Sequence, residues 1–235
     1  MSDYLAKATT VVLLAAGRGA RMRPLTDTTP KPLLTVGPRT LIEHHLSKLA
    51  SLGFKNVVIN TAHLAEQFPA KLGDGAQYGL SIQYSDESQF GALETAGGLQ
   101  HAVPLIHSDP FLVINSDIWT DFDFTVLLRP LGVLGRLVMV NNPAHNQRGD
   151  FVLKQDGYLD VMPEHTTTGL TFSGIALYHK AMFAPLPHGK QALAPLLRNC
   201  MKTQQLEGIQ HTGKWVDVGT PERLEQLNQT YKIRY

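Results

Sequence analysis

Short unbroken apolar runs alternate along this chain with stretches whose apolar residues recur at helical spacing. "TTVVLLAAG", "KNVVINTA" and "PFLVINSDIW" have strand length and β-branched content, the pattern of strands buried on both faces of a parallel sheet. "LSIQYSDE" alternates apolar and polar positions as a strand does. Between these runs, "TLIEHHLSKLASLGF" places Leu41, Ile42, His45, Leu46, Leu49 and Leu52 on one helical face, with Gly53 as its stop. "HLAEQFPAKLG" reads as a short helical segment broken by Pro69, and "LETAGGLQHAVPLI" as a glycine-containing turn into a helix.

Beyond residue 120 the pattern loosens. "GRLVMVNN", "GDFVLKQDGYLDVMP" and "LTFSGIALYH" are strand-like, with Asp156-Gly157 as a hairpin turn. "KQALAPLLRNCMKTQ" is a helix that Pro195 is expected to disturb. "LEGIQHTGKWVDVGT" is a strand or strand pair, and "PERLEQLNQTYK" a closing helix capped by Thr220 with Pro221 at its first position. The order predicts an α/β fold of three layers, Rossmann-like, with a mostly parallel mixed sheet and added antiparallel strands in the second half. No linker, low-complexity segment or repeat interrupts residues 1–235, so a single domain is expected. Its nucleotide-binding half covers about 8–120, its sugar- and metal-binding half about 121–235.

Composition narrows the class. Hydrophobic residues make up 43% of the chain, charged residues 17%, and the net charge is +1, too balanced for a general nucleic-acid or anionic-membrane binder. Cys200 is the single cysteine, which excludes an intrachain disulfide and a cysteine-rich zinc site. Neither a signal peptide nor a run of about 18 apolar residues is evident, so a cytoplasmic location is the expectation.

Against that neutral background, "LLAAGRGARMRPLTDTTPKPLL" concentrates glycine and positive charge just after the first strand. Ligands of open α/β sheets bind at such strand ends. Gly17 and Gly19 would let the backbone approach a ligand, Arg21 offers a fork of donors for phosphate oxygens, and Lys31 adds a point charge. Pro24, Pro30 and Pro32 stiffen the loop. A phosphate chain is the natural partner, although neither the Walker pattern nor the dinucleotide fingerprint is present. The scattered histidines show no metal-ligand spacing and read as ordinary structural or surface residues.

The whole string, L-A-A-G-x-G-x-R-M-x-P-L-T followed by T-P-K-P-L-L, resembles the signature of the sugar-phosphate nucleotidyltransferases. The resemblance implies that Gly17, Gly19, Ala20 and Arg21 hold the phosphates of a nucleoside triphosphate, that Leu14 and Ala15 lie near its base, and that Lys31 bridges nucleotide and sugar phosphate. It also implies a divalent cation, Mg²⁺, on two distant aspartates. "VINSD" supplies Asn115 and Asp117, and "WVDVGT" supplies Asp217. Two carboxylates plus phosphate oxygens make a hard oxygen site suited to that ion. Arg21, Lys31 and Asp117 are then the catalytic residues of an in-line displacement that needs no general base, because the attacking phosphate oxygen is already an anion.

The turn "ALETAGGL" replaces a glycine usual in the family with Glu94 and keeps Thr95; both are expected at the nucleotide. Glu94 either accepts a donor from the base or caps the helix that follows. "RGDF", "TFSGI", "LAPLLR" and "WVDVGT" in a chain of this length are most similar to members that join UTP to N-acetylmuramate 1-phosphate in cell-wall sugar recycling. Gly149, Asp150, Ser173 and Gly174, with Asn115, are the candidates for the sugar phosphate, and Arg148 a candidate for the lactyl carboxylate. The implied partners are small molecules, UTP and a sugar 1-phosphate, with neither nucleic acid nor membrane, and a monomer is the simplest assembly. The alternatives are another pairing, such as GTP with mannose 1-phosphate or UTP or dTTP with glucose 1-phosphate, or a catalytically silent nucleotide-sugar sensor.

Overall fold

The computed structural model describes residues 2–164 and 168–232. His165, Thr166 and Thr167 lie outside the described residues.

In chain order the elements are α1 (Ser2–Ala8), β1 (Thr10–Leu14), β2 (Thr35–Val36), β3 (Arg39–Thr40), α2 (Leu41–Ser51), β4 (Asn56–Thr61), α3 (Gln67–Leu72), β5 (Ser81–Asp86), α4 (Glu94–Ala102), β6 (Phe111–Asn115) and β7 (Ile118–Thr120). There follow β8 (Gly135–Val140), β9 (Phe151–Leu153), β10 (Leu159–Val161), β11 (Thr171–Tyr178), α5 (Leu193–Lys202), β12 (Leu206–His211), β13 (Trp215–Asp217) and α6 (Pro221–Lys232), with short 3-10 turns between.

Seven strands form one sheet in the order β12-β8-β11-β6-β1-β4-β5. β11 runs antiparallel to both its neighbours, and every other pairing in the sheet is parallel. The mixed three-layer α/β architecture expected from the sequence is therefore present. Strand alternation explains the unbroken apolar runs. Val11 and Leu13 face one layer with Ile42, Leu46 and Leu49 of α2. Val12 faces the other with Ala96 and Leu99 of α4 and Leu197 of α5. A strand covered on both sides has no polar face to show in sequence.

Local signals mostly act as read. Thr40 and Glu43 form a capping box at the start of α2. At its end Phe54 N–H donates to the Leu49 carbonyl at 3.1 Å around Gly53, whose φ is 88°. Asp156-Gly157 turns β9 into β10, with Gly157 at φ 86°.

Two expectations need correction. Pro69 does not break α3, nor does Pro195 disturb α5, because each is the third residue of its helix. Backbone N–H groups of a first turn have no intrahelical acceptor, so a proline there costs nothing in the ladder. α1 carried no clear signal in sequence; its Ala6 packs into the core.

The chain leaves β1 to one side through β4 and β5, then returns through α4 to β6 on the other side. The switch point thus lies between the carboxyl ends of β1 and β6, where Leu14 is paired with Asn115.

Candidate active site

A cavity of about 390 Å³ opens at this switch point. Leu14, Ala15, Gly17, Gly19, Ala20, Arg21, Lys31, Glu94, Thr95, Asn115 and Asp117 all line it. The glycine loop is shaped by Gly19, which has φ 64°. A Cβ there would come within 3.0 Å of Thr26 Cγ2 and 3.1 Å of Lys31 Cβ, so only glycine fits. Gly17 has no positive φ, and a Cβ there would meet open space; the tight turn belongs to Gly19 alone. The loop is pinned by Thr26, whose Oγ1 donates to the Gly19 carbonyl at 2.9 Å, and by His63, which donates Nε2 to the Thr26 carbonyl at 2.9 Å. Arg21 stays exposed at the cavity with no ion-pair partner among the described residues.

Lys31 is buried beneath it and donates Nζ to Asp117 Oδ2 at 2.6 Å. Asp117 sits just past β6 in the turn to β7. Asp217 ends β13, whose antiparallel ladder with β7 pairs it with Ile118, and Val218 N–H donates to the Asp117 carbonyl at 3.0 Å. Two carboxylates far apart in sequence are thereby brought onto one short ribbon. Asp217 Oδ2 accepts from Arg223 Nη1 at 2.6 Å and faces His145 Nε2 at 3.3 Å. Each aspartate thus carries its own cationic partner. Among the described residues no group of three or more His, Cys, Asp or Glu is placed to hold a metal. The donor set is two carboxylates whose remaining partners would be oxygens from the substrates, a composition that fits a hard divalent ion.

A second, wider cavity of about 1140 Å³ shares Glu94, Thr95 and Asn115 with the first. Arg148, Gly149 and Asp150 line it. Gly149 has φ 78°, and a Cβ would crowd Asn142 and the Gly169–Leu170 backbone. Asp150 accepts from Phe172 N–H at 2.8 Å and from Asn146 Nδ2 at 3.1 Å. Ser173 and Gly174 stand behind this wall. Ser173 is buried and its Oγ accepts from Ile175 N–H at 3.2 Å. Gly174, at φ 79° in the bulge of β11, presses on the Asn115 side chain and leaves no room for a Cβ. Its place in the site is to seat Asn115.

The sequence profile of the nucleotidyl transferase family matches residues 10–149, from the first strand past the second carboxylate's partner strand. The chain belongs to the nucleotidyl transferase family. An N-acetylmuramate alpha-1-phosphate uridylyltransferase of Neisseria meningitidis serogroup B is 49% identical over 222 residues, spanning 92% of this chain and 95% of the relative. A protein of the same description from Caulobacter vibrioides is 30% identical, spanning 90% and 92%. In fold, the chain matches a Bacillus anthracis protein assigned as a glucose-1-phosphate thymidylyltransferase with a TM-score of 0.82 and 22% identity over 95% of both chains.

This nucleotidyl transferase carries site residues that the sequence did not announce. Glu87 is fully buried and lines the first cavity. It accepts from Asn60 Nδ2 at 2.7 Å and from Leu93 N–H at 2.8 Å, while Asn60 Oδ1 accepts from Ala15 N–H at 2.7 Å. The relay ties the start of the glycine loop to the turn bearing Glu94. Burial raises the Glu87 carboxyl above its ordinary value, against the lowering effect of those two hydrogen bonds. Gly98 of α4 makes the relay possible, because a Cβ there would overlap Glu87 Oε1. Glu94 itself has φ 59° and stands in the first turn of α4, where its charge meets the positive end of the helix. The left-handed backbone is the physical reason a glycine suits this position. His45, fully buried, donates Nε2 to the Ile118 carbonyl at 2.8 Å and braces β7; burial depresses its pKa to about 4.

Proposed function

We propose that the chain transfers UMP from UTP to N-acetylmuramate α-1-phosphate, giving UDP-N-acetylmuramate and pyrophosphate, with Mg²⁺ as the cofactor and cell-wall sugar recycling as the setting. The 49% identity to the Neisseria meningitidis relative, over 92% of the chain, carries the choice of substrates.

UTP occupies the switch-point cavity, its phosphates against the Gly19 backbone and Arg21. The sugar phosphate enters through the wider cavity and meets the nucleotide along the shared wall of Glu94, Thr95 and Asn115. A sugar-phosphate oxygen bonds to the α-phosphorus as the bond from that phosphorus to the bridging oxygen breaks, and pyrophosphate departs with the electron pair. The nucleophile is an anion, so the residues position and neutralise instead of moving a proton. Arg21 meets negative charge accumulating on the leaving group, and Lys31 lies where nucleotide and sugar phosphates converge. Asp117 and Asp217 would hold Mg²⁺, which when bound polarises the α-phosphate and offsets its charge.

The reading places the chain in the cytoplasm, acting as a single catalytic unit and a monomer. No helix among the described residues is long and apolar enough to cross a membrane. Pyrophosphate release across a grid of nucleoside triphosphates and sugar 1-phosphates tests it. Turnover confined to UTP with N-acetylmuramate 1-phosphate is expected; a different productive pair would replace the assigned sugar, and silence with nucleotide still bound would point to a sensor.

A further inference from the structure

The wider cavity holds more positive charge than a neutral sugar needs. One face of α5 lines it through Ala194, Pro195, Arg198, Asn199 and Lys202, residues that recur at helical spacing. The opposite face of the helix, with Cys200 and Met201, is buried in the core. Arg198 and Lys202 are one turn apart, both exposed to the cavity, and neither has an ion-pair or hydrogen-bond partner among the described residues. Across from them Arg148 also lines the cavity, but it donates Nη2 to the Pro163 carbonyl. The cavity's acids do not balance this charge. Asp150 is engaged with Phe172 N–H and Asn146, and Glu94 stands at the far wall shared with the nucleotide cavity. Beside the cations the lining is apolar, with Phe151, Phe172 and Leu197.

We infer that Arg198 and Lys202 form the subsite for a carboxylate carried by the sugar, away from its phosphate end. The inference rests on the substrate proposed above and assigns its lactyl acid to α5. A guanidinium offers a fork of donors matched to a carboxylate, and an ammonium one turn further along adds a second charge. In the proposed reaction the phosphate end sits at the wall shared with the nucleotide cavity, at Asn115, so the cation stripe on α5 reads the other end of the ring. The subsite thus selects both for an acidic sugar and for its direction.

The test compares N-acetylmuramate 1-phosphate with N-acetylglucosamine 1-phosphate, which lacks only the lactyl acid, in the wild-type protein and in Arg198→Ala, Lys202→Ala and Arg198→Lys. The readout is the ratio of the two kcat/KM values. Where the neutral sugar turns over too slowly, the ratio of Kd values for the two UDP-sugars by calorimetry replaces it. Arg198→Ala is expected to lower the ratio about ten-fold, the scale of one charge-assisted hydrogen bond, mostly through KM. Arg198→Lys should recover part of it. Structural damage lowers both sugars together and leaves the ratio alone, so an unchanged ratio in both alanine variants overturns the inference. A wild-type protein inactive on N-acetylmuramate 1-phosphate overturns the substrate reading itself, and this subsite with it.

Discussion

Lys31 Nζ lies 2.6 Å from Asp117 Oδ2, with the lysine side chain 8% exposed and the aspartate 35%. A buried ammonium in this position needs an anion, and the pair supplies one before any ligand arrives. When phosphates enter, the same ammonium has a second set of oxygens within the cavity it lines. Lys31→Ala is therefore expected to lower kcat by about 10²–10³-fold, the usual loss of one transition-state charge donor. Lys31→Arg should not restore it in full, because a planar guanidinium does not reproduce the compact ammonium's contact with Asp117. The stability loss should stay near 1–2 kcal/mol, since Asp117 is partly solvated and survives alone. Pyrophosphate release and urea denaturation of the same variants check both figures.

Removal of divalent metal separates chemistry from folding. Asp117 is paired with Lys31, and Asp217 with Arg223, so the two carboxylates do not face each other unneutralised. EDTA should abolish turnover while shifting Tm by less than about 3 °C, equivalent to at most ~1 kcal/mol of linked binding. A large drop in Tm would reveal a structural metal that these residues do not account for.

His45 is one source of acid sensitivity, beside its neighbours Glu43 and His44, whose pKa values are also lowered in the fold. Its folded pKa of about 4 lies below the ordinary 6.5 because burial disfavours the imidazolium. Between those values the unfolded chain binds a proton that the folded chain does not. Stability from this group is therefore complete above pH 6.5 and is lost as pH falls toward 4, by roughly 3 kcal/mol in all. His45→Gln keeps a donor for the Ile118 carbonyl without titrating. Denaturation at pH 7 and pH 4.5 should show a steeper loss in the wild-type protein than in the variant; parallel curves would assign the acid sensitivity elsewhere.

Glu94 adopts φ 59° at the mouth of both cavities. A left-handed backbone costs a non-glycine residue about 1–2 kcal/mol, part of which glycine gives back through its freer unfolded state. Glu94→Gly should raise unfolding free energy by up to ~1 kcal/mol. A fall instead would mean that the carboxylate contributes more through contacts than its backbone costs.

The parts of this site visible in sequence are those carried by contiguous residues. Val11 to Leu13 and Leu112 to Ile114 announced strands covered on both faces, and the glycine loop, "VINSD" and "WVDVGT" announced themselves as strings. What stayed hidden depends on distance in space. Asn60 lies in β4, Glu87 just past β5 and Gly98 in α4, and only the parallel pairing of β4 with β5 under α4 joins them into a relay. The tie of Asp217 to Arg223 and His145 was equally invisible, since nothing near His145 in sequence resembles a site. Pro69 and Pro195 were misjudged because the helix starts, and not the prolines, set their meaning.

The ribbon of β7 and β13 also sets the order in which the two carboxylates come together during synthesis. Asp117 leaves the ribosome 100 residues ahead of Asp217, and three ladder pairs, Trp215 with Thr120, Val216 with Trp119 and Asp217 with Ile118, are what join them. A nascent chain that has emerged as far as the turn between β6 and β7 already carries the glycine loop, Arg21, Lys31 and Asp117. It owns only one of the two carboxylates. The second carboxylate joins the first only when β13 pairs with β7, so on the proposed mechanism the metal site is the last part of the active site to be assembled.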